Sequence, residues 1–81
     1  MNHTEIMEYI EKLYLNMVYM EQKGIETRNY PETIRKYARV LEMQKSGFER
    51  FISLNPASNP AKYLTGEVYK INSILGMVKG L

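Results

Sequence analysis

The sequence has no cysteine, no aspartate and no tryptophan, and its single histidine is His3. Without a thiol there is no disulfide, no thiolate zinc site and no thiol nucleophile. Without aspartate, aspartyl-phosphate chemistry and the EF-hand calcium loop fall away. One histidine, two residues from an end expected to fray, leaves no metal site built on paired histidines and no Ser-His-Asp triad. Glycine is sparse and scattered (Gly24, Gly47, Gly66, Gly76 and Gly80), so no loop cradles a phosphate. Glu5, Glu8 and Glu11 are the nearest thing to a catalytic carboxylate set. At an N-terminal turn that spacing suits a solvated face that favours the helix dipole. The expectation is therefore a protein that is not an enzyme, with no cofactor, no metal and no small-molecule substrate.

Long hydrophobic runs are missing as well. The densest, Leu13 to Met20, is eight residues long and closed by Lys12 and Glu21. A helix needs about 20 apolar residues to cross a bilayer. Met1-Asn2-His3-Thr4-Glu5 is not basic, and no apolar stretch of signal-peptide length follows it. A cytoplasmic location without a membrane partner is expected on these grounds.

What is present is enough for one core. The 81 residues are 44% hydrophobic and 25% charged, too apolar for disorder and too few for two independent cores. A single helical domain over residues 1–81 is expected. In the first segment Ile6, Ile10, Leu13, Met17 and Met20 are spaced 4, 3, 4, 3, which is one face of a helix. Asn2 or Thr4 can cap its start, and Gly24 supplies the left-handed residue that ends it, with Ile25 placed to return towards Met20.

The second segment opens at Tyr30-Pro31, with proline at the first helical position and Tyr30 as the cap. Ile34, Tyr37, Leu41, Gln44, Phe48 and Phe51 run 3, 4, 3, 4, 3, with Ala38 and Ile52 widening the line. The phase passes through Ser46-Gly47 and favours one continuous helix. Ser46-x-x-Glu49 is also a capping-box pattern, so a restart or kink there is the alternative. Asn55-Pro56-Ala57-Ser58-Asn59-Pro60 reads as a loop, with Asn59-Pro60 capping the third helix. Leu64, Val68, Ile71, Leu75 and Val78 then repeat the 4, 3, 4, 3 spacing. These patterns predict an all-α fold: a small antiparallel three-helix bundle with helices over residues 3–23, 31–54 and 60–79, expected to be oligomeric.

Two surfaces point outward. Seven of the eight residues from Leu13 to Met20 are apolar, so the first helix is apolar all round for two turns. Tyr14 and Val18 widen the core face, whereas Leu15 and Tyr19 form a separate stripe. Ile74, Met77 and Leu81 form a short second stripe on the third helix. Tyrosine and methionine also sit at wet boundaries with nothing bound, but surplus apolar surface on a small domain more often marks a contact. Tyr14, Leu15, Val18, Tyr19, Ile74 and Met77 are the candidate protein interface, with a second copy, another protein, or both as the partner.

Charge is divided along the chain. Residues 1–26 hold five glutamates against two lysines, a net −3, and residues 27–81 carry +5. Arg28, Arg35, Lys36 and Arg39, with Tyr30 and Tyr37 interleaved, are the candidate nucleic-acid contacts. The competing reading is a solvated face on which Glu32, Glu42 and Glu49 pair with these cations. Gln44, among apolar neighbours, is expected to reach water at a boundary, or else to be a buried polar group that fixes register. The favoured function is a non-enzymatic protein–protein interaction module, a small regulator, inhibitor or adaptor that self-associates as a homodimer or higher oligomer. A small nucleic-acid-binding regulator is the alternative, and a structural subunit of a larger assembly the third.

Overall fold

The computed structural model describes all of residues 1–81. It has three α-helices and no strand: α1 (His3–Gln22), α2 (Tyr30–Leu54) and α3 (Asn59–Val78). No helix end departs from its expected position by more than one residue. No helix is long and apolar enough to cross a membrane.

Local chemistry accounts for the helix ends. The Asn2 side-chain oxygen accepts the Glu5 N–H at 2.9 Å, and the Glu5 carboxylate accepts the Asn2 N–H at 3.1 Å. That reciprocal pair is a capping box, and it starts α1 directly at His3. At the other end Gly24 adopts φ 74°. The Ile25 N–H donates to the Met20 carbonyl at 2.9 Å and the Gly24 N–H to that of Glu21 at 3.1 Å. These are the two bonds of a Schellman stop.

α2 starts without a side-chain cap. Asn29, not Tyr30, is the cap residue, and the Thr33 hydroxyl donates to its carbonyl at 3.1 Å. The helix then runs unbroken through Ser46 and Gly47, so the restart signal there goes unused. The cap of α3 lies one residue earlier than Asn59. The Ser58 hydroxyl accepts the Ala61 N–H at 3.2 Å and donates to the Asn55 carbonyl at 2.9 Å. One hydroxyl therefore closes the loop and opens the helix, which leaves Asn59 free to be helical.

Ile10, Ile34, Leu41 and Ile71 are fully buried where the three helices meet. Burying each such side chain contributes about 1.5–3 kcal/mol. His3 meets Phe48 and Tyr9 meets Tyr37, both edge to face at 4.9 Å between ring centroids. α2 packs extensively on both neighbours, whereas α1 and α3 touch over a shorter length. This shifts the buried line of α2. Phe51, expected on the seam, is exposed, and Ala38 and Ile52 are half-buried beside Ile34, Leu41 and Phe48. A helix wedged between two others buries an arc centred between them, and Phe51 falls outside it.

The molecule is long for its mass. It measures 50 × 21 × 16 Å with a radius of gyration of 14.7 Å. A compact chain of this length has a radius of gyration of about 12 Å.

Candidate interaction surfaces

Leu15 and Tyr19 lie one turn apart on α1 and are 57% and 59% exposed. Tyr14 and Val18 beside them are half-buried, and Tyr14 packs on the core. Ile74, Met77 and Leu81 depart from the expected outward stripe, because all three pack against the core. The reason lies in the neighbours of α3. Ile74 lines a hollow with Met7 and Glu8 of α1, whereas Leu75 lines a groove with Ala38 of α2. α3 thus buries two adjacent lines of residues, one towards each partner helix.

A larger outward stripe runs along α2, where none was expected. Val40, Met43, Phe51 and Leu54 are all exposed, the second and last at 74%. With Gly47 between them their spacing is 3, 4, 4, 3, so the helical period that could have revealed the stripe is present in the sequence. The total accessible surface is 5781 Å². A compact monomer of 9.5 kDa exposes about 5,000 Å².

His3 is not frayed. The capping box holds it in the first turn of α1, with its side chain only 15% exposed. Its Nε2–H donates to Glu67 Oε1 at 2.8 Å, since an ionised carboxylate can only accept. Lys70 Nζ bonds the other oxygen, Oε2, at 3.0 Å. The Glu67 side chain is 7% exposed, and both its oxygens have a partner. The hydrogen bonds from His3 and then Lys70 hold the Glu67 carboxyl below its ordinary value of 4.5, against the opposing effect of burial. Glu67 in turn raises Lys70 above its ordinary value. This tie between α1 and α3 escaped the sequence reading. Its signal was a glutamate one turn before Ile71, on the buried face of α3.

Gln44 lies at the boundary, as the first expectation has it. It is half-buried, yet its Oε1 is sealed from solvent with no hydrogen-bond donor. The side chain lies on the flank of α2 where burial is partial.

The four candidate nucleic-acid residues separate. Arg35 and Arg39 line an open groove of about 550 Å³ between α2 and α3, together with Lys45, Glu42, Asn72 and Lys79. Arg28 pairs instead with Glu26 at 3.4 Å, both side chains well exposed, and Lys36 is exposed outside the groove. The expected pairing with Glu32, Glu42 and Glu49 is absent: no ion pair involves any of them. These side chains are long and solvated, and a surface pair at helical spacing gains too little to hold them together.

Comparison with protein-family models, with curated proteins and with solved structures found no match to this chain.

Proposed function

We propose that this chain is a non-enzymatic interaction module that acts by covering apolar helix surface, and that its first partner is a second copy of itself. The observation that carries the reading is the apolar side chains left exposed at helical spacing: Leu15 and Tyr19 on α1, and Met43, Phe51 and Leu54 on α2. Such rows suit helix-to-helix contact.

The bundle in this reading is antiparallel between neighbours in sequence. The pairings of His3 with Phe48 and of Tyr9 with Tyr37 support it, since later residues of α1 meet earlier residues of α2. The elongated shape leaves two helical flanks open along most of its length. A small regulator, inhibitor or adaptor works by occupying a surface, and this chain has the flanks to do so.

Absolute mass by light scattering across a concentration series tests the reading. The wild type is expected to exceed 9.5 kDa, and Leu15→Glu or Met43→Glu to return it to that value with helicity intact. A wild type that stays at 9.5 kDa at every concentration would overturn self-association.

A further inference from the structure

We propose that the groove between α2 and α3 binds single-stranded nucleic acid, its phosphates held by Arg35, Arg39, Lys45 and Lys79 and a base stacked on Tyr69. The inference is independent of self-association. Four cations, three on α2 and Lys79 at the end of α3, share this groove with one side-chain carboxylate, Glu42, and none of the five is in an ion pair. Elsewhere even the exposed Glu26 finds Arg28. Arg35 and Arg39 stand four apart on one helix, where like charges repel. The Arg39 Nε–H donates to the Arg35 carbonyl at 3.4 Å, which lays its stem along the helix. A guanidinium group can hold phosphate oxygens through paired N–H donors, and the two lysines add point charges.

Tyr69 decides the class of polyanion. It is 79% exposed and stands three residues before Asn72 on α3. Asn72 lines the basic groove and also, with Tyr69 and Ser73, the hollow beside it. An aromatic ring open to solvent, joined through Asn72 to a groove lined by cations, is an arrangement that suits unpaired bases, because any base has a face to stack. The turn at Ser46-Gly47 that a helix-turn-helix reader of duplex would use does not form, since α2 is continuous there. An acidic protein segment would use the cations and leave the ring idle.

The test is fluorescence anisotropy with labelled mixed-sequence single strands of about 16 nucleotides, DNA and RNA, over a range of salt. Four phosphate contacts give a slope of about −3 in log affinity against log salt, or about a 50-fold loss over a fourfold rise. The double change Arg35→Glu, Arg39→Glu is expected to weaken binding at least about tenfold and flatten that slope by about 1.4. Tyr69→Ala should cost about tenfold with the slope unchanged. Gly76 also lines the groove, and a Cβ there meets nothing within 4 Å. Gly76→Leu keeps every charge, favours the helix and fills the groove, so it should lose binding without losing helicity. Two results would overturn the proposal. One is no binding by the wild type at low salt. The other is a loss confined to the arginine changes, with Tyr69→Ala and Gly76→Leu binding as the wild type does, which would mean unspecific charge attraction.

Discussion

The tie between α1 and α3 and the groove between α2 and α3 are both built of charged side chains, and the fold treats them in opposite ways. In the tie one carboxylate is nearly sealed from water and each of its oxygens has a cationic or N–H partner. In the groove four cations and a carboxylate stand open, and none is paired. Burial explains the first case, because a carboxylate taken out of water without partners costs several kcal/mol. Solvent explains why the second is tolerated, since water and salt screen exposed charge. The difference teaches which charges the fold itself needs. Those of the tie hold helices together, and those of the groove contribute little to holding anything in the isolated chain.

Substitutions can sharpen that contrast. The largest effect is expected from Glu67→Gln, which keeps the shape but removes the charge facing His3 and Lys70. It should cost about 1–2 kcal/mol in chemical denaturation at neutral pH. The cost should also depend on pH in a fixed direction. Because the Glu67 carboxyl is held below 4.5, its contribution is complete above that value and is lost as pH falls through the lower native value. The wild type and Glu67→Gln should therefore converge in acid, and a gap that stays constant down to acid unfolding would break the argument. A smaller change of opposite sign is expected at Gln44. Gln44→Met keeps the volume and removes the sealed, unpartnered oxygen, and should raise stability by about 1 kcal/mol. Least of all should happen at the groove. Thermal unfolding of the double variant Arg35→Glu, Arg39→Glu should stay within about 0.5 kcal/mol of the wild type. A larger loss would make the groove structural after all.

The helices were legible in the sequence because their signals are local. A glycine at the end of α1, a proline in the first turn of α2 and runs of 4, 3 spacing each act within a turn or two. What was not legible depends on how neighbouring helices face each other. Phe51 and Ile52 are adjacent in sequence, and only the position of α1 and α3 around α2 decides which of them turns inward. The same holds for Ile74, whose burial needs α1 alongside. His3 was misjudged because proximity to the chain end suggested fraying, while the partner that fixes it lies 64 residues away. Of the candidate sites, the outward pair Leu15 and Tyr19 and the basic pair Arg35 and Arg39 could be picked out by composition and period. Lys45, further along the same basic helix, could be noted with them, but Lys79 could not, since nothing in the sequence places the end of α3 beside the middle of α2.

That separation of 64 residues also bears on the order in which the chain assembles. The contacts of α1 with α2, and of α2 with α3, join neighbours through short connections and close cheaply. The bond from His3 to Glu67 closes a loop of 64 residues and is expected to form late. If it closes after the rate-limiting step, as its span predicts, Glu67→Gln should speed unfolding in stopped-flow measurements and leave the folding rate almost untouched.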